Sequence, residues 1–361
     1  METDELASRV RLRRLQAQQT HAARPAAEAA RHHHPSAKRS DSCSALPQLD
    51  PVLPQHITAA SCATFDSTGF VVLPALIAPS TCVVLQQRLE AVLRGNGDLG
   101  APDKQPRLRA EMLRVKRGKA PPLITTRTSK RTLQLINCWK ADAAFRDVVL
   151  STRLGEVVAR LAGWSAGARV ANDQIWAKPP GAHALSFHRD SPYFDFSPTD
   201  VVTVWIALDD MDRELGPLQY VHGSHRWRDA SGSAAQFFVR GGGGHRDHLH
   251  AAAAKEAPPL SEAELEITTV DVRAGGCGIH NGRTWHGSGR NESQTKPRRG
   301  LGIHFVPADA VFRDKSSRKT LAARLAFGAA TEPRRESAVE TAVETGAMDE
   351  ALFPITWRCS K

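Results

Sequence analysis

His188 and Asp190 stand two positions apart in the stretch SFHRDSPYF, residues 186–194. Successive side chains of a β-strand point to opposite faces, so on a strand this pair would share one face and Arg189 would take the other. An imidazole beside a carboxylate is either a hydrogen-bonded pair or two parts of a metal site. His286, in the glycine-rich TWHGSGRNES, is the candidate third ligand. Two histidines and one carboxylate leave other coordination positions open, which suits non-haem Fe(II) that must bind a chelating acid and O2 together. Such an acid needs a cation, and Arg298 and Arg299 open the run RRGLGIHFVP. A guanidinium grips a carboxylate bidentately, but neighbours on a strand face opposite ways, so only one of the two can turn inward.

The elements that must carry these residues are short and β-rich. From about residue 168 the chain reads as brief apolar runs broken by Gly, Pro, Asn and Asp: ARVANDQIWAKPPG, DVVTVWIAL, GPLQYVHGSH, ITTVDV, GGCGIHNG and RRGLGIHFVP. Many short strands with frequent turns predict a sandwich or barrel. Ahead of them, GFVVL reads as a strand ended by Pro74. Ser80 and Thr81 then offer N-caps to a helix with apolar spacing through Leu85, Leu89 and Val92. Two further helices are expected near 142–150 and 152–162. The tract 228–258, with GGGGH and HRDHLH, reads as a solvated insertion over one mouth of the barrel. Asp209-Asp210 reads as a strand-ending turn, and His222 and His225 as packing residues.

Three segments follow from this pass. Residues 1–55, rich in Ala, Arg, His, Gln, Ser and Pro, read as a disordered tail. Residues 56–310 form the β domain with its helical flank, and 311–361 a helical or irregular extension. No run of eighteen apolar residues occurs, so no membrane span is expected. The formal charge is +10, and its excess is local: Lys104 to Arg131 holds ten Lys or Arg against the single acid Glu111. Such a stretch is a solvated loop or a docking surface for an anionic small molecule. Nucleic acid is the weaker reading, because aromatic content is 6% and no stacking platform accompanies the charge.

Together these motifs resemble the phytanoyl-CoA dioxygenase (phytanoyl-CoA hydroxylase) family of Fe(II)- and 2-oxoglutarate-dependent oxygenases. The resemblance runs from about 64 to 306 and is carried by order and spacing: GFVVLP with its helix, KPPG before HRDSPYF, DVVTVWIALDDM, GPLQYVHGSH, and WHGSGRNES followed by PRRGLGIHF. It implies a double-stranded β-helix (a jelly-roll, cupin-like core) with iron held at His188, Asp190 and His286. It implies that Arg298 holds 2-oxoglutarate, with Arg299 as the alternative, and that Trp205 and Ser288 line the cosubstrate pocket. Asn172 and Gln174, two apart before KPPG, are looser candidates for the same pocket. Related halogenating enzymes carry a small residue where Asp190 stands, so the resemblance implies hydroxylation. O2 is the co-reactant, 2-oxoglutarate leaves as succinate, and ascorbate would serve as a reductant.

The small-molecule substrate implied is an acyl-CoA, whose phosphates would suit the basic stretch. The same chemistry on a free metabolite is the alternative, and a non-catalytic β-barrel binding protein is the rival from another class. RLQAQQTHA, residues 14–22, fits a type 2 peroxisomal targeting pattern, so a peroxisomal import receptor is an expected partner. Cytoplasmic or mitochondrial placement is the alternative.

Overall fold

The computed structural model describes residues 50–55, 57–105, 132–194, 196–228, 244–256, 258–313 and 346–359. The basic stretch from 106 to 131, the tail with its targeting pattern and the segment 314–345 lie outside the described residues.

Thirteen strands are described, in chain order β1 (Phe70–Leu73), β2 (Leu133–Ile136), β3 (Ala168–Lys178), β4 (Leu185–His188), β5 (Phe196–Ser197), β6 (Val202–Ala207), β7 (Leu218–Val221), β8 (Ile267–Thr269), β9 (Cys277–Asn281), β10 (His286–Ser288), β11 (Arg298–Pro307), β12 (Val311–Phe312) and β13 (Ile355–Trp357). They form a seven-stranded sheet in the order β1-β9-β6-β11-β3-β13 with β2 also on β3, a four-stranded sheet β4-β10-β7-β8, and the pair β12-β5. Every pairing is antiparallel. This is the jelly-roll that the resemblance implies, a mainly β fold with flanking helices.

Side-chain alternation divides the large sheet's faces cleanly. Leu301, Ile303 and Phe305 of β11, Val204 and Ile206 of β6, Ile279 of β9 and Ile175 of β3 join one apolar cluster with the helices. Those helices, Pro79–Leu93, Ala143–Val149 and Thr152–Ala162, contribute Leu85, Leu89, Phe145, Val148, Leu154 and Val158. Each fully buried Leu or Phe adds roughly 1.5–3 kcal/mol to the sheet's hold on its helical cover. The residues of opposite parity face the four-stranded sheet and build the site.

Several local expectations are corrected. The helix at Pro79–Leu93 is capped at Ala78, with Pro79 at its start, rather than at Ser80 or Thr81. Proline's fixed φ and missing N–H suit the first helical turn, so the helix starts two to three residues earlier. A helix over Ala59–Thr68 has almost no apolar stripe and was not foreseen; the Thr58–Ser61 capping box opens it, and Phe65 is its buried residue. The ordered domain already includes Asp50–Val52: Asp50 accepts from Ser151 Oγ at 2.7 Å, and Val52 bridges to Ile77. The C-terminal extension supplies a strand, β13, on the edge of β3 beside the Thr152–Ala162 helix. HRDHLH is not a solvated loop, because Asp247–Ala253 is a helix packed on β4 and buries Leu249.

Candidate active site

Cross-strand register sets the inward residues of the large sheet in rungs. Asn172, His304, Thr203 and His280 lie level on β3, β11, β6 and β9. Gln174, Gly302, Trp205 and Gly278 form the next rung, and Lys178 opposite Arg298 the last. Six residues separate His304 from Arg298, which at ~3.3 Å per residue spans about 20 Å. Opposite the first rung, β4 and β10 of the smaller sheet pair so that His188 and His286 are direct partners.

His188, Asp190 and His286 converge. Their ligand atoms all lie within 4.8 Å of one another, and all three residues are buried. Asp190 Oδ1 lies 3.7 Å from His188 Nε2 and 3.6 Å from His286 Nε2. The structure corrects one premise: β4 ends at His188, and Asp190 sits beyond it with φ −82° and ψ −40°, leading into the turn Ser191–Tyr193. Its N–H donates to the Gly282 carbonyl at 2.8 Å, so a loop contact, not strand alternation, brings the carboxylate beside the imidazoles. Arg189 does turn away, over the Trp285 ring at 5.4 Å.

Hydrogen-bond bookkeeping fixes the tautomers. His188 Nδ1 faces the Ser186 carbonyl at 2.8 Å and His286 Nδ1 the Thr284 carbonyl at 3.0 Å. A carbonyl only accepts, so Nδ1 carries the proton and Nε2 presents its lone pair toward Asp190 Oδ1. Burial, reinforced at His188 by the neighbouring His286, pushes both imidazoles down to about 4, so both rings are neutral at physiological pH. Burial alone would raise the Asp190 carboxyl. The interaction with His286 and the His280 hydrogen bond overcome it as Asp190 titrates, and hold the group well below the usual carboxylate range.

The other oxygen, Asp190 Oδ2, is committed elsewhere. Thr203 Oγ1 donates to it at 2.7 Å and His280 Nε2 at 3.0 Å. Thr203 has spent its one proton, so it accepts from His304 Nδ1 at 2.8 Å. The neutral His280 ring likewise accepts at Nδ1 from the Tyr220 hydroxyl at 3.0 Å. These four partners were missed by the sequence reading. The signal was there, since 298, 300, 302 and 304 share one parity on β11 and place His304 on Arg298's face.

A cavity of about 250 Å³ opens over the triad. It is lined by all eight residues singled out from the sequence: His188, Asp190, His286, Arg298, Trp205, Ser288, Gln174 and Asn172. The two arginines face opposite ways, and of the pair it is Arg298 that lines the cavity. Arg298 is fully buried in the cavity wall, its guanidinium 5.0 Å over the Trp205 ring and donating to the Gly216 carbonyl at 3.3 Å, while its Nε has no partner. Burial lowers its pKa to about 10. Arg299 turns to the other face, where Asp209 accepts from both its Nε and Nη2. Gly300 makes the Trp205 placement possible, because a Cβ there would lie 2.2 Å from the indole.

The arrangement fits the metal and cosubstrate it was expected to hold. Two neutral imidazoles and one carboxylate oxygen lie within 4.8 Å of one another, and a buried guanidinium with an unpartnered donor lines the same cavity. His222 and His225 bind Thr268 and the Asp66 carbonyl, outside the cavity lining, and Asp209 and Asp210 serve Arg299 and Arg273.

Residues 65–300 match the phytanoyl-CoA dioxygenase family. Among curated proteins, the chain is 28% identical over 149 residues to a probable alpha-ketoglutarate-dependent hypophosphite dioxygenase of Stutzerimonas stutzeri, covering 39% of this chain and 46% of that one. It is also 28% identical over 131 residues to the dioxygenase aneA of Aspergillus aculeatus, covering 34% and 35%. The chain thus spans less than half the length of these two relatives. Among solved structures, the epimerase SnoN in complex with Fe3+, alpha-ketoglutarate and nogalamycin RO shares the fold, with a TM-score of 0.54 at 20% identity over 76% of this chain and 91% of that one.

Proposed function

The chain belongs to the phytanoyl-CoA dioxygenase family, and from that premise we propose that it is an Fe(II)- and 2-oxoglutarate-dependent dioxygenase that hydroxylates an aliphatic C–H bond. The single observation that carries the reading is the convergence of His188 Nε2, His286 Nε2 and Asp190 Oδ1 in a cavity that Arg298 also lines. When bound, Fe(II) with 2-oxoglutarate and O2 supplies the oxidising chemistry, and 2-oxoglutarate leaves as succinate and CO2. The chain's own residues bind and orient. Two carbonyl-anchored imidazoles present fixed lone pairs, and Asp190 offers one oxygen because Thr203 and His280 hold the other. Arg298 pairs with the distal carboxylate of the cosubstrate, and the Trp205 indole forms the wall beneath it. The filled carboxylate position supports hydroxylation over halogenation.

For the substrate, an acyl-CoA is the reading that the family and the basic stretch support. Lys104, the first residue of that stretch, lines the cavity, while 106–131 lie outside the described residues. The same chemistry on a free small molecule is supported by the cavity's size, since about 250 Å³ shared with a cosubstrate is less than the ~300–1,000 Å³ of sites that enclose drug-sized ligands. Succinate release from protein, iron, ascorbate and 2-oxoglutarate, screened with acyl-CoAs and their free acids at two salt concentrations, tests both levels. Stimulation by CoA esters alone, weakened by salt, supports the acyl-CoA reading, and equal stimulation by free acids removes it. Succinate that never rises above an iron-free control removes the enzyme reading and favours the binding-protein rival. Peroxisomal import through residues 14–22 belongs to the same proposal; a fluorescent fusion that stays cytosolic overturns it.

A further inference from the structure

Two fully buried basic side chains stand opposite each other on neighbouring strands, and one of them, Arg298, lines the cavity. Arg298 and Lys178 are cross-strand partners, and neither exposes any surface. Among the described residues no carboxylate forms an ion pair with either, because Asp209, whose charge acts on Arg298, is held by Arg299. Burying charge without a counter-ion is costly, so two such groups side by side are a site built to receive an anion.

Lys178 does not line the cavity itself; its contacts pass through Ser288, which does. Its Nζ donates to Ser288 Oγ at 2.8 Å and to the Gly289 carbonyl at 2.5 Å. An ammonium has protons to give and no lone pair, so Ser288 Oγ is an acceptor here. The hydroxyl's single proton is then directed to another acceptor, and the open side of Ser288 is the cavity.

We propose that Lys178 is a positioning residue for the distal carboxylate of the cosubstrate, turning the Ser288 hydroxyl to donate to it while Arg298 binds it directly. The inference rests on the 2-oxoglutarate reading and deepens it: the Arg298–Ser288 part of the cavity selects 2-oxo acids that carry a second carboxylate. Burial, and after it the Arg298 charge, holds the Lys178 ammonium well below its ordinary pKa. An arriving carboxylate supplies the missing counter-charge. A lysine serving only to brace the Ser288–Gly289 turn would have no such effect on ligand choice.

The test is calorimetric binding of 2-oxoglutarate and of 2-oxobutyrate, which lacks the distal carboxylate, to protein loaded with Mn(II) in place of Fe(II). Wild type should prefer 2-oxoglutarate. K178M should weaken 2-oxoglutarate by about ten- to a hundredfold while leaving Mn(II) affinity and 2-oxobutyrate binding unchanged. In a K178M/S288A double variant the loss should be smaller than the product of the two single losses, because one residue acts through the other. K178Q keeps an amide donor on Ser288 without the charge and replaces K178M if methionine prevents folding; it should weaken 2-oxoglutarate selectively and less. Unchanged 2-oxoglutarate affinity in the Lys178 variants, equal loss for both acids, or fully multiplicative losses in the double variant would each overturn the inference. Wild type that binds no 2-oxoglutarate overturns the cosubstrate reading as well, so the two failures are told apart by the protein in which they occur.

Discussion

His280 donates from Nε2, at 3.0 Å, to the Asp190 oxygen that the two metal-facing imidazoles do not approach most closely. That bond, with the one from Thr203 at 2.7 Å, leaves a single carboxylate oxygen for a metal and keeps the neighbouring coordination positions open. Partners of this kind typically change metal affinity by about ten- to a hundredfold when removed. H280A should therefore weaken Fe(II) binding by that order, and H280Q, which keeps a donor, should recover part of it. Metal titration checks both. Equal affinity in H280A and wild type would show that Thr203 alone suffices.

Arg298 and Arg299 make a clean pair for mutation, since adjacent residues serve opposite faces. R298A removes the buried guanidinium whose Nε has no protein partner, and losing a bidentate charged contact of this kind costs roughly 2–5 kcal/mol. The 2-oxoglutarate KM should rise steeply. R299A breaks the contact with Asp209 instead and should leave KM near wild type while lowering thermal stability slightly. Steady-state kinetics with 2-oxoglutarate as the varied substrate decides; the reverse pattern would place the cosubstrate on the wrong face of β11.

The metal-free protein should lose stability as pH falls through the histidine range. His188 and His286 titrate at about 4 when folded, against the ordinary 6.5, because burial disfavours the imidazolium. His280 and His304 are lowered by burial too. Between those values the unfolded chain binds protons that the folded chain does not, so stability is fully present above pH 6.5 and drains away toward pH 4. Each of the first two imidazoles contributes at most roughly 3 kcal/mol to this slope. Asp173, raised by burial to about 7, works in the opposite sense and offsets part of it. Urea denaturation of metal-free protein at pH 7.5 and pH 5 measures the net; a midpoint that stays put or rises at pH 5 would contradict the buried neutral state.

The site was legible in the sequence where side-chain chemistry and alternation coincide. His188, His286 and Arg298 sit on strands whose parity can be counted, and the apolar runs VTVWIA and LGIHFV lie where expected. Asp190 was found for a partly wrong reason, since the loop contact to Gly282 that places it involves residues far apart in the chain. The same long range hid His280, which reaches Asp190 from β9, and Tyr220, which reaches His280 from β7. A capped helix with one buried residue, Ala59–Thr68, leaves no apolar period to read. Strand β13 is visible only once β3 has an edge to offer it.

The central claim is a metal and cosubstrate centre built on His188, Asp190 and His286, and anaerobic spectroscopy tests it most directly. Fe(II) and 2-oxoglutarate added together without O2 should give a visible charge-transfer absorption in wild type, since the chelated 2-oxo acid must share the iron with the triad. H188A, D190A and H286A, each still folded by circular dichroism, should give none. Absence of the band in wild type, or its persistence at full intensity in any of these three variants, would contradict the account.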